Sequence, residues 1–116
     1  MEEKGCFDIK VNHFSKTIDM LIEGTFDPLI VEEFVTDYTN KMKGLPVKEY
    51  RLIIDCKNMD VMTQAMIPYM ENSFRLYQEF GVERMIIIIQ KSPVLRMQLK
   101  RIATRTKLLY PIIVEV

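Results

Sequence analysis

Apolar and polar residues alternate singly from Cys6 to Val11 (CFDIKV), the period of a strand with one face buried. A looser alternation over Thr17–Gly24 (TIDMLIEG) follows the turn-like NHFSK, and the two together predict an antiparallel hairpin. The period then changes. Ile30, Phe34, Tyr38 and Met42, with Val31 and Val35, recur at helical spacing and build one apolar stripe. Asp27 suits the N-cap, and Pro28 suits the first helical position, where its missing N–H costs nothing. Gly44 can take the left-handed conformation that ends a helix, and Pro46 forbids continuation.

The rest of the chain repeats this unit. YRLIID reads as a short buried strand, and PYMENSFRLYQEFG as a helix with Met70, Phe74, Tyr77 and Phe80 inward and Gly81 as its stop. RMIIIIQ sets four isoleucines in succession, apolar on both faces, the pattern of a central parallel strand covered by helices. In SPVLRMQLKRIATRTK, Ser92 is the expected N-cap and Pro93 the first helical residue, with Leu95, Leu99, Ile102 and Ala103 on the apolar side. YPIIVEV closes the order as an edge strand. The expected fold is α/β, β-β-α-β-α-β-α-β: a mixed sheet of about five strands with about three helices packed on it. At 116 residues it is read as a single domain spanning 1–116.

Composition narrows the class. The 48% apolar and 28% charged content is that of a globular protein, and sixteen basic residues balance sixteen acidic ones. Two cysteines, Cys6 and Cys56, are too few for a disulfide framework or a zinc site, so buried thiols in a reducing, cytoplasmic setting are expected. The longest apolar run, Met85–Ile89, falls far short of the ~20 residues of a membrane span. The acidic opening MEEKGCFD does not resemble a signal peptide.

The balance of charge hides an uneven distribution. Lys91 to Lys107 holds Lys91, Arg96, Lys100, Arg101, Arg105 and Lys107 and no acid, while the remainder carries ten basic and sixteen acidic residues. A basic helix presenting Arg96, Lys100, Arg101 and Arg105 could meet an acidic partner, a phosphate or an anionic membrane surface; alternatively it is a solvated face paired with acids on neighbouring elements. No aromatic residue interleaves with it, which argues against nucleic acid. Met59, Met62, Met66 and Met70, of nine methionines, cluster around the segment between the third strand and the second helix. Flexible thioethers there suit either an adaptable binding surface or the filling of gaps beneath a loop. His13, the sole histidine, is expected in an exposed turn without catalytic partners. No phosphate loop, zinc motif or nucleophile elbow is present, so no catalytic residue, metal or cofactor is assigned.

Three motifs carry a family resemblance: GTFD (Gly24–Asp27), RLIIDCKNMDVMTQAMI, and IIIIQKSPVLRMQLK. They resemble, respectively, the strand-to-helix junction, the strand–loop–helix segment and the Ser-Pro turn of the STAS family, the anti-anti-sigma factor domain also found on anion transporters. The likeness spans roughly Phe7 to Val116. In sporulation-type members a serine after a conserved aspartate is phosphorylated by an anti-sigma kinase, which releases the partner. In the ungapped register that aspartate falls on Thr63, the phosphoacceptor on Gln64, the next serine on Ala65 and the glycine on Met66. Gln64 has no hydroxyl, so the resemblance implies a member lacking the usual phosphoacceptor, with Thr63 as a displaced one. Pro68 lacks the N–H a helix interior needs and disfavours helical angles at Ile67, so the helix is expected to begin near Pro68, after a long loop.

Two functional expectations follow. The first is a non-catalytic STAS-like interaction domain, binding an anti-sigma or kinase-like protein through residues 58–70, with Asn58, Met59, Asp60, Thr63, Gln64 and Met66 as contact residues. Asp60 and Thr63 could equally be turn and cap residues satisfying backbone donors. The alternative is a small-ligand module for a nucleotide, apolar molecule or lipid head group, with a pocket between the methionine loop and the SPVLRMQLK helix. Self-association as a homodimer is expected through the apolar edge of the last strand.

Overall fold

The computed structural model describes residues 5–106 and 111–116. The hairpin strands are β1 (Cys6–Asn12) and β2 (Thr17–Glu23). They are followed by α1 (Pro28–Met42), β3 (Arg51–Asp55), α2 (Ile67–Glu79), β4 (Arg84–Ile89), α3 (Pro93–Arg105) and β5 (Ile112–Glu115). Short 3-10 turns at Val47–Glu49 and Gln64–Met66 precede β3 and α2. The five strands form one sheet in the order β1-β2-β3-β4-β5, with β1 and β2 antiparallel and the remaining pairs parallel. This is the α/β mixed sheet expected, and β5 lies at its edge.

The caps form as their residue types dictate. Asp27 Oδ1 accepts from the Ile30 N–H at 2.9 Å, and Ser92 Oγ accepts from the Leu95 N–H at 3.2 Å. Gly44 at the end of α1 and Gly81 after α2 take φ of +74° and +89°, angles that cost a residue with a Cβ roughly 1–2 kcal/mol. In the hairpin turn the Asn12 carboxamide oxygen accepts from the Phe14 and Ser15 N–H groups, each at 3.0 Å.

The strand order fixes the layering. Each parallel strand is added beside its predecessor in the same direction. Right-handed crossovers therefore place α1, α2 and α3 on one face of the sheet. The register confirms it: Met20, Ile54, Ile87 and Ile113 line up on the helix side, as do Ile18, Leu52 and Met85. These residues and the inward side chains of the helices form a single core. Leu21, Ile53, Ile86, Ile88, Ile112 and Val114 point to the other face and take no part in that core. This corrects one expectation: β4 is apolar on both faces, yet helices cover only one.

At the centre of the helix layer, Phe34, Tyr38, Phe74, Tyr77 and Phe80 pack ring against ring, with Tyr38 and Tyr77 centroids 5.1 Å apart. Burial raises the ionisation of both tyrosines well above the ordinary phenol range. Among the described residues, the Tyr38 hydroxyl is the one buried side-chain polar atom without a hydrogen-bond partner. A buried hydroxyl without a partner carries its desolvation cost uncompensated. Tyr38→Phe is therefore expected to stabilise the domain by about 1 kcal/mol, read as a higher denaturant midpoint at unchanged slope. A lower midpoint would show that the hydroxyl is satisfied in solution.

One further expectation changes. Cys6 is exposed, because β1 is an edge strand and Cys6 points to the open face; its Sγ lies 3.8 Å from Glu23 Oε1. Cys56 is buried as expected, and burial, followed by the neighbouring Asp55 carboxylate, pushes its thiol up to about 12. It is a packing thiol with little thiolate at neutral pH. His13 is exposed in the turn, with Nδ1 2.9 Å from the Tyr50 hydroxyl. Lys107 and Tyr110 lie outside the described residues.

Candidate functional site

The segment after β3 sits at the carboxyl ends of the parallel strands, where open α/β sheets carry their sites. It is tied down on two sides. Toward β2, Gly24 N–H donates to the Asn58 carbonyl at 2.8 Å and the Asp60 N–H donates to the Gly24 carbonyl at 3.1 Å. This bridge extends the β2–β3 pairing past the strand ends and requires Gly24, at φ +75°, to present both backbone groups. Asn58 Nδ2 donates to Glu23 at 3.0 Å, and Thr25 Oγ1 donates to the Asp60 carboxylate. Toward α3, the Gln98 carboxamide closes a reciprocal pair on Met62. Its oxygen accepts from the Met62 N–H at 3.2 Å, and its Nε2 donates to the Met62 carbonyl at 2.9 Å.

Beyond this clamp Thr63 is extended, Gln64–Met66 make a single 3-10 turn, and α2 begins at Ile67 with Pro68 in its first turn. A proline in that place forfeits no helical hydrogen bond. The helix start expected near Pro68 is thus one residue away, and Gln64–Met66 are not α-helical. The capping alternative for Asp60 and Thr63 is not realised by either side chain. Thr63 makes no side-chain cap bond. Asp60 binds Thr25 across the loop and caps neither the 3-10 turn nor α2.

The expected contact residues divide into an outward rim and an inward floor. Asn58, Asp60, Thr63 and Gln64 are exposed, joined by Val61 and by Tyr69 on α2. Met59, Met62, Met66 and Met70 are half-buried, and three of them, Met59, Met62 and Met70, pack on the core. The methionines thus fill gaps and line one wall of a narrow cleft. The opposite wall comes from Ile22, Phe26 and Val31, with Tyr77 behind. Its free space is about 40 Å³, close to the ~30 Å³ share of one water molecule. The cleft lies between the loop and α1. Against α3, where a pocket was expected, the Gln98 clamp closes the gap.

Val61 and Tyr69 are exposed apolar side chains on this rim that pattern reading did not single out. Both are apolar within a polar segment; Val61 lies in a loop without a period, and Tyr69 falls off the inward stripe of Met70, Phe74 and Tyr77 on α2.

The basic residues of α3 stand apart from this site. Arg96 pairs with Glu115 at 2.8 Å, and Arg105 pairs with Glu71 at 2.9 Å. Lys100 and Arg101 are exposed without a carboxylate partner among the described residues. The paired, solvated face is therefore realised at Arg96 and Arg105. The groove that Arg96, Met97, Lys100 and Arg101 border is shallow, on the outer side of the helix. Among the described residues, no group of three or more His, Cys, Asp or Glu side chains converges, and no helix is long and apolar enough to cross a membrane.

Fold and site together define a one-sided α/β domain whose distinctive element is a clamped strand–loop–helix segment with a methionine floor. No protein-family model matches the chain, and no curated protein sequence does.

Proposed function

We propose that the protein is a non-catalytic, STAS-like interaction domain that binds a protein partner through the outward rim of residues 58–70. One observation carries the reading: the loop is held at both sides by backbone and carboxamide hydrogen bonds, yet turns Asn58, Asp60, Val61, Thr63, Gln64 and Tyr69 to solvent. A surface pre-ordered in this way loses little conformational entropy on binding. By the family resemblance the partner is an anti-sigma or kinase-like regulator, and Gln64 at the phosphoacceptor position makes binding independent of phosphorylation there.

Calorimetric titration against each anti-sigma or kinase-like protein encoded in the same genome tests the reading. Val61→Asp and Tyr69→Ala should each weaken binding about tenfold or more, and Lys43→Ala, at the far end of α1, should not. Equal affinity for all three variants would exclude the rim. Incubation with ATP and the same proteins should leave residue 64 unmodified; phosphate on Thr63 would show a displaced switch.

A second reading rests on the cleft. Methionine side chains can swing aside to admit a small apolar molecule. The walls are nearly all apolar, which favours such a ligand over a nucleotide or a lipid head group. The basic face that would attract an anionic group does not line the cleft.

A further inference from the structure

The two edges of the sheet are finished differently. On β1, Lys41 reaches over from α1 and its Nζ donates to the Ile9 carbonyl at 2.8 Å, while Asp8 and Lys10 stand exposed along the strand. Charged side chains, lysine above all, keep other strands off an edge. β5 carries no such guard: Ile112 is 59% exposed and Val114 39%. The Val116 N–H donates inward to the Ile89 carbonyl at 3.0 Å. By the two-residue alternation of a strand, Ile113 and Glu115 therefore turn their N–H and C=O groups outward. Among the described residues, nothing bonds to these four groups. Pro111, the preceding residue in that alternation, has no N–H, so the outward donors begin at Ile113.

α3 sets the charge beside this edge. Its Gln98 and Arg105 flank faces the methionine loop and α2, whereas Arg96 meets Glu115 on β5. Lys100, four residues after Arg96, lies on the same β5 flank. α3 runs antiparallel to β5; four helical residues rise about 6 Å and two strand residues about 6.6 Å. Lys100 therefore stands level with Ile113, exposed and without a carboxylate partner among the described residues. A second copy fits this edge poorly. Antiparallel β5–β5 pairing centred on Ile113 brings Lys100 of one copy toward Lys100 of the other, and α3 holds no acid to offset them.

We propose that the β5 edge accepts an extended segment of another protein as a sixth strand, one in which aliphatic and acidic residues alternate. Main-chain hydrogen bonds to Ile113 and Glu115 supply the affinity, and the alternating side chains supply the selectivity. The position beside Ile113 points to the helix side, where Lys100 calls for a carboxylate. Its neighbours point to the open face beside Ile112 and Val114, where aliphatic side chains cover exposed apolar surface. The edge shares no residue with the 58–70 rim.

Fluorescence anisotropy of the full chain with a labelled seven-residue peptide of alternating valine and glutamate tests this. The peptide should bind about tenfold more tightly than its valine–lysine counterpart, and Lys100→Glu should reverse that order. Amide exchange at Ile113 and Glu115 should slow when the peptide binds, with β1 unchanged. N-methylation of one alternate set of peptide nitrogens should abolish binding, and of the other set should not. The proposal is overturned if neither peptide binds, if both bind equally, or if Lys100→Glu leaves their order unchanged. Binding that survives both N-methylations, or that leaves those two amides unprotected, would overturn it as well. So would slowing of the same amides with rising protein concentration and no peptide, which would show a second copy on the edge.

Discussion

Phe74→Ala is expected to lower the stability of the domain by about 3–5 kcal/mol, the range for removing a fully buried aromatic ring. Phe74 is 1% exposed, and its ring centroid lies 5.7 Å from that of Tyr77. It stands where α2 meets the inner face of the sheet, among Ile54, Ile87 and Leu99, and beneath Met59 and Met70. The cavity therefore opens directly under the candidate site, with polarisable thioethers as the side chains best able to sag into it. Urea unfolding should show a lower midpoint at unchanged slope. A loss under about 2 kcal/mol would mean that the methionines refill the space almost completely. Against a total stability of about 5–15 kcal/mol, the full loss is a large fraction.

Gln98→Ala is expected to release the loop while sparing the fold. The substitution removes both hydrogen bonds to Met62 and leaves a half-buried N–H and carbonyl to find water. A cost of about 2 kcal/mol in local opening corresponds to roughly thirtyfold faster amide exchange at Met62. Strands β2, β3 and β4 should keep their protection, because the clamp touches none of them. If the rim acts through pre-ordering, partner affinity falls by a similar factor although Gln98 itself does not face the partner. Exchange at Met62 unchanged from wild type would show that the Gly24 bridge alone holds the loop.

The sequence made the elements readable because each carries its own local signal. Asp27-Pro28 and Ser92-Pro93 mark helix starts through backbone donors that need acceptors, and both caps form as expected. Pro68 located the start of α2 to within a residue for the same reason. What was not legible depends on long-range placement. The isoleucines of β4 report that both faces are apolar, but not whether a helix or a second molecule covers each. The Gln98–Met62 clamp joins residues 36 apart in the chain, and nothing in either segment announces it. Cys6 looked like any small apolar residue of a strand; only its place on an outer strand, side chain outward, exposes it. Within the site, the rim and floor follow from the loop's path, which the pattern of methionines alone does not fix.

The order β1-β2-β3-β4-β5 matches the order in which the strands leave the ribosome. No later strand has to insert between two earlier ones, so each βαβ unit can dock on the sheet already made as soon as its own strand is synthesised. The methionine loop comes into its final setting late, because Gln98 emerges only with α3. The segment that we assign to recognition thus stays without its α3 support until some 36 further residues have been made.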